Sequence, residues 1–273
     1  IDFVRRHADS DQPFCLYVAH EAIHNPVQVP GDAVRRTTER WDRWKWREVS
    51  QQERIAKYKG MTLPIDNGIG TLRKTLIELG IEKETFVLFF SDNGPSRDFP
   101  SGSPTLRGWK GEVYEGGHKV PAIAWWPGRI EPGSVSDETL ISIDVMPTLL
   151  KLADAAEPTR PLDGVDFSTV LLEMKSIPPR PLFWASLSNN GSRAEAMREG
   201  DWKLVVKHPG ASPGTFEHSK LELYRLSDDP GEQRDQALAE RERAKRMHEQ
   251  MKTWYAETQQ TATTQIGGWL ADK

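Results

Sequence analysis

Residues 86–121 read FVLFFSDNGPSRDFPSGSPTLRGWKGEVYEGGHKVP. An apolar run enters Ser91-Asp92-Asn93-Gly94 directly, and a loop rich in Gly and Pro follows, carrying Lys110 and His118 among glycines. A short apolar run bounded by turn signals predicts a buried strand, here over Thr85–Ser91. A carboxylate and an amide at the carboxyl end of a strand stand in the usual ligand position of an α/β sheet, and their oxygens suit a hard cation. No Cys or His is adjacent, so calcium or magnesium fits these donors better than zinc or copper. Lys110, flanked by glycines, can present a point charge to an anion. The same residues have plainer uses. Asp-Asn-Gly-Pro is turn chemistry in its own right, and most lysines end in solvent. Two ligands also fall short of the roughly six to eight oxygens that calcium takes.

Upstream, residues 13–19 (PFCLYVA) form an apolar run between Pro13 and His20-Glu21, predicted as another buried strand. Cys15 is expected there as a small buried hydrophobe; as the single cysteine it excludes an intrachain disulfide. Residues 31–50 are charged and bring Trp41, Trp44 and Trp46 close together. Such a cluster can stack on a sugar, but packing or an interface is its commoner use. Residues 51–80 read as a helix closed by Gly80, with Ile69, Leu72, Leu76 and Leu79 at spacings of three and four, and Pro64 predicts a kink or split in it. Downstream, Val120–Trp125 predicts a third strand and Ile143–Ala153 a short helix with Pro147 near its start. This order implies an α/β layer structure, part of a large mixed sheet with flanking helices.

The pattern changes near residue 178. Ile177-Pro178-Pro179-Arg180-Pro181 reads as a linker. Leu182–Leu187, Arg193–Arg198, Trp202–Lys207 and Leu221–Leu226 then read as short strands separated by turn residues, which predicts antiparallel hairpins. A final helix over about 235–257 carries Ala244, Met247, Met251 and Trp254 as an apolar stripe suited to docking on that small sheet. Two units are therefore expected, 1–178 and 179–273.

Bulk properties set the outer bounds. The 273 residues are 37% hydrophobic and 28% charged with net charge −4, as expected of a soluble globular chain with no call for a nucleic-acid partner. No apolar run reaches membrane-spanning length and no leader is visible. The first residue is Ile1 rather than Met, so we expect the native start to lie upstream or to have been processed, and compartment is unreadable. His20-Glu21-Ala22-Ile23-His24 matches the H-E-x-x-H zinc-peptidase pattern. That chemistry needs a helix to bring both imidazoles to one face. Here Asn25-Pro26 follows at once, and residues before proline avoid the helical region. A strand-to-loop exit with at least one histidine turned to a site is the better expectation, beside the plainer one of two solvent-facing histidines.

Taken in order, these segments resemble the sulfatases, the calcium-dependent sulfate-ester hydrolases of the alkaline phosphatase-like superfamily. PFCLYVAHEAIHNP, IDNGIGTLRKTLIELG running to TFVLFFSDNGPS, and LRGWKGEVYEGGHKVPAIAWWPGRI carry the likeness. ISIDVMPTLLKLADA, LDGVDFSTVLL, REGDWKLV and LELYRLSDDPGE follow as later landmarks. Each motif alone is weak; the ordered set is specific and spans nearly the whole chain. The resemblance implies Asp92 and Asn93 as calcium ligands. It implies Lys110 and His24 as sulfate-binding and catalytic groups, Lys110 also assisting the nucleophile. His118, in the Gly-Gly-x-Lys/Arg-x-Pro stretch, is a substrate-binding candidate whose role the resemblance leaves open. A sulfated small molecule or sulfated glycan is the implied substrate, and export to the periplasm or outside the implied location. The family's nucleophile is a formylglycine made from a Cys-x-Pro-Ser-Arg motif, which this chain lacks, as it lacks the family's first Asp-Asp metal pair. The expectation is thus the C-terminal portion of a sulfatase, inactive alone. Two alternatives are a phosphonate or phosphodiester hydrolase of the same superfamily, and a non-catalytic anion- or glycan-binding protein.

Overall fold

A computed structural model describes residues 1–24, 27–31, 49–97, 102–156, 158–187, 193–208 and 220–265. The Trp41/Trp44/Trp46 cluster lies outside them. Helix α1 spans Asp2–His7 and α2 spans Gln51–Glu78. Ser50 caps α2 by accepting the Glu53 N–H at 3.2 Å. At its far end the Gly80 N–H reaches the Ile77 carbonyl and the Ile81 N–H reaches that of Leu76, with Gly80 at φ +70. This is the paired closure that a left-handed residue after a helix allows. Pro64 does not split α2, contrary to expectation. It lies on the exposed side of the helix, where the loss of one bond in a long ladder costs least.

Strands β1 (Val87–Phe90) and β2 (Ala122–Trp125) pair antiparallel, Val87 opposite Trp125 and Phe90 opposite Ala122. Between them the chain makes the Asp92 turn, the Lys110 loop and the single turn α3 (Glu115–His118). Behind this ribbon, α4 (Val145–Leu152) and α5 (Ser168–Glu173) follow a short 3-10 turn at Ser142–Asp144. Asp144 is fully buried. Its carboxylate accepts the Ile141 N–H at 2.9 Å and the Val165 N–H at 3.0 Å, and pairs with Arg180. Leu88 packs against Phe167, Val170 and Ile177.

Two strand expectations need correction. Residues 13–19 join no ladder among the described residues; Tyr17 is 87% exposed, and Cys15 is exposed rather than buried. β1 is half-buried at Val87 and Leu88, and Phe89 and Phe90 reach solvent. In both places the apolar run exists but no described layer covers it. The H-E-x-x-H stretch is a turn, not a helix, with the His24 N–H on the Glu21 carbonyl at 2.7 Å. It lacks the helical face that a zinc-peptidase site requires.

The C-terminal expectation holds closely. β3 (Pro181–Leu187), β4 (Arg193–Glu199), β5 (Trp202–His208) and β6 (Lys220–Arg225) form one antiparallel sheet in sequence order. Met197, Leu204, Val206 and Leu223 point to one face, where Ala244, Met247 and Met251 of α6 (Arg241–Gln265) close the core. Trp254 stacks on Phe183 at 4.8 Å. Helix α6 starts later than residue 235 because the Asp235 carboxylate accepts the N–H groups of Leu223 and Ala237, tying that segment to β6 as turns. The opposite face of the sheet, with Ala196, Val205 and Tyr224, packs on Val113 and Tyr114. The sheet is thus covered twice, by α6 on one side and by the Lys110 loop on the other. Among the described residues no helix is long and apolar enough to cross a membrane.

Candidate active site

The Asp92 turn and the Lys110 loop are joined through backbone atoms. The Gly94 N–H donates to the Gly117 carbonyl at 2.9 Å, and the Lys110 N–H donates to the Pro95 carbonyl at 2.8 Å. The Gly116 N–H closes the loop on the Arg107 carbonyl at 2.6 Å. Such close approach demands glycine. A Cβ on Gly94 would lie 2.0 Å from the Gly116 carbonyl oxygen, and one on Gly117 would lie 2.0 Å from that of Glu112. Gly108 and Gly111, both at φ +89, turn the chain on either side of Lys110.

On this frame Asp92 and Lys110 are exposed, and neither side chain forms a hydrogen bond or ion pair among the described residues. Asn93 is half-buried and its amide donates to the Gly94 carbonyl at 2.9 Å, which leaves its Oδ1 as an acceptor. Asp92 and Asn93 therefore offer hard oxygen donors on the turn that is bonded to the Lys110 loop. Among the described residues no cluster of three His, Cys, Asp or Glu side chains suits a metal, so these donors fit a hard cation only as a partial set. The structure brings Asp92, Asn93 and Lys110 onto one bonded frame, while His24 belongs to the separate turn after residue 20.

His118 faces away from that frame into a buried ion cluster. Its ring stacks on Trp184 at 4.5 Å, and its Nε2 lies 3.1 Å from Lys203 Nζ and 3.1 Å from the Val113 carbonyl oxygen. Lys203 is 0% exposed and donates to Glu115 at 2.8 Å; Glu232 Oε1 stands 3.1 Å away on its other side. Glu232 Oε2 accepts the Glu115 N–H at 2.8 Å. Burial alone would push the Glu115 carboxyl up, but the Lys203 ammonium, with His118 and Arg198, holds it below the ordinary carboxylate range. Burial pushes the Glu232 carboxyl up against the opposing Lys203 ammonium, and the Glu115 charge adds to the rise. Burial and the Lys203 charge lower His118 to about 4, so its imidazole is neutral at pH 7.

A second cluster lies alongside. Arg107 donates to Tyr224 Oη at 2.9 Å and to the Glu232 carbonyl at 2.8 Å, with its guanidinium 3.9 Å from the Tyr114 ring centroid. Glu222 accepts from Tyr114 at 2.6 Å, Tyr224 at 2.9 Å and Lys207 at 2.8 Å. Burial opposes its charge, but these three donors outweigh it and lower the carboxyl to about 2. None of Arg107, Glu115, Lys203, Glu222 or Glu232 stands out in the sequence. The available signal was β5 itself. Trp202, Leu204 and Val206 occupy one face and Val205 the other, so apolar residues on both faces imply that Lys203 is covered too.

The strand-end carboxylate–amide pair and the lysine loop locked to it thus put oxygen donors and a cationic side chain on one backbone frame, next to a sheet cored on both faces. Residues 1–155 match the Sulfatase family model, and residues 108–261 match the model described as N-sulphoglucosamine sulphohydrolase, C-terminal. The chain belongs to the sulfatase family. It is 35% identical over 241 residues to arylsulfatase A of Homo sapiens, covering 81% of this chain and 44% of that protein. It is 34% identical over 260 residues to N-acetylgalactosamine-6-sulfatase of Rattus norvegicus, covering 85% and 45%. Among solved structures, Ps i-CgsB in complex with k-i-k-neocarrahexaose superposes with a TM-score of 0.75 at 24% identity, covering 93% of this chain and 52% of that one. This last likeness is one of fold. The chain spans less than half the length of the curated relatives it matches.

Proposed function

We propose that this chain is the C-terminal portion of a sulfatase and supplies one side of a site that hydrolyses sulfate esters. The observation that carries the reading is the lock between the two loops. Two backbone hydrogen bonds tie the turn that carries Asp92 and Asn93 to the loop that carries Lys110, an exposed lysine with no partner among the described residues. Lys110 binds the sulfate oxygens and stabilises charge that grows on the transferring group, and His24 joins it from the loop after residue 20. Preorganised donors of this kind are worth about 3 kcal/mol each in acyl transfer. Asp92 and Asn93 would hold calcium, which when bound neutralises charge on the same group. The nucleophile, a formylglycine, belongs to sequence outside these residues. His118, buried beside Lys203, serves the loop rather than the ester. The unit boundary falls near residue 178, with 1–178 carrying the site and 179–273 supporting it. A sulfated glycan is the substrate class we favour, in keeping with the N-acetylgalactosamine-6-sulfatase relative.

In the full-length protein, Asp92→Ala should lower calcium-dependent release of sulfate from an aryl sulfate by about 100-fold or more. Unchanged turnover would remove the metal assignment. Faster turnover of an aryl phosphonate than of the matched sulfate would move the reading to the phosphonate hydrolases of the same superfamily.

A further inference from the structure

We propose that Lys203 is a positioning residue for Lys110: buried between Glu115 and Glu232, it fixes the stem of the 107–118 loop on the C-terminal sheet and so sets where the Lys110 ammonium stands. The proposal rests on the reading of Lys110 as an anion ligand. Lys110 itself touches nothing on that sheet among the described contacts, so its placement is inherited from the loop.

Besides the packing of Val113 and Tyr114 on the sheet and the Tyr114 bond to Glu222, polar contacts hold the loop at its entry, its tip and its exit. At its entry, Arg107 donates to Tyr224 Oη and to the Glu232 carbonyl. At its tip, the Ser186 hydroxyl of β3 donates to the carbonyl of Gly111, the residue after Lys110. At its exit, Glu115 bonds to Glu232 through its N–H and to Lys203 through its carboxylate. Lys203 is the group on which the exit depends. Glu115 and Glu232 are both at most 2% exposed, and the ammonium between them is what allows two carboxylates to share that space. Glu232 is held at φ +51, a left-handed backbone that a non-glycine residue keeps only where its surroundings over-determine it. Removing the ammonium leaves two buried carboxylates facing each other, and the cost of an uncompensated buried charge falls on the contact between loop stem and sheet. The sheet has its own core against α6, on the opposite face, so the loss is local to the loop.

The test uses the full-length protein and two readouts: amide hydrogen exchange over 107–118, referenced to β4 and β5, and titration with inorganic sulfate in the presence of calcium. Lys203→Met is expected to speed exchange at Lys110, Gly116 and Gly117 by ~10-fold or more relative to the sheet. It should also weaken sulfate binding as much as Lys110→Ala does, although Lys110 is intact. Lys203→Arg, which keeps the charge, should recover part of both. Loop exchange that stays at the wild-type rate in folded Lys203→Met overturns the proposal. If that variant does not fold, Glu232→Gln carries the same test, since it keeps the shape and an oxygen for the Glu115 N–H; unchanged loop exchange there also overturns it. Faster loop exchange in a protein whose wild-type form binds no sulfate upholds the loop anchor and instead overturns the reading of Lys110.

Discussion

The β3–β6 sheet is covered on both faces, whereas the β1–β2 ribbon leaves Phe89, Phe90 and Ile123 in solvent, Ile123 at 62% exposure. Both sets of strands carry similar apolar residues. The difference lies in what faces them. Each inward position of β5 has α6 on one side or the 113–114 segment on the other, and it is this second layer that turns an apolar strand into a core. The ribbon keeps its geometry by other means, through strand pairing and the glycine contacts at its loop end. The C-terminal sheet is therefore held through side-chain packing, and the ribbon with its loops through backbone contacts.

Three measurements sharpen this contrast. Leu204→Ala, at a fully buried position between sheet and α6, should cost about 4 kcal/mol in urea unfolding. A loss below about 1 kcal/mol would mean that the two-sided packing does not hold the sheet. Acid should act next. His118 titrates near 4 in the folded chain, below its ordinary value, so between about pH 6.5 and 4 the unfolded chain binds more protons and stability falls as pH drops. The loss is at most roughly 3 kcal/mol. Glu222, lowered to about 2, extends it below about pH 4.5 in the same sense, while Glu232, pushed up by burial, works in the opposite sense. His118→Gln should flatten the upper arm of the profile, and an unaltered slope in urea midpoints between pH 7 and 4 would refute the assignment. Smallest of all, Ile123→Ala on the ribbon should change stability by less than about 0.5 kcal/mol. A clearly larger effect would show that the exposed face of the ribbon is packed in solution.

Much of the supporting part was legible because it is periodic. The alternation in Trp202–His208 and the spacing of Ala244, Met247 and Met251 are local patterns, and the structure places both as expected. Asp92, Asn93 and Lys110 were legible as candidates, since turn chemistry and flanking glycines mark them within a few residues. Their mutual placement was not, because it depends on which glycine carbonyls meet across the loop. The ion cluster was the least legible. Glu115 and Glu232 lie 117 positions apart, and although apolar residues on both faces of β5 imply that Lys203 is covered, they do not say which carboxylates meet it. Residues 13–19 show the converse error, an apolar run with no described layer over it.

The two kinds of anchor on the Lys110 loop also differ in what can disturb them. On the Asp92 side the loop is held by neutral amide bonds, Gly94 to Gly117 and Lys110 to Pro95. On the sheet side its exit is held through the Glu115 carboxylate and the His118 imidazole, both of which exchange protons. A drop in pH thus reaches one anchor and passes over the other. The bonds between the loop and the Asp92 turn do not titrate, so acid loosens the loop from the sheet first and leaves its pairing with that turn in place.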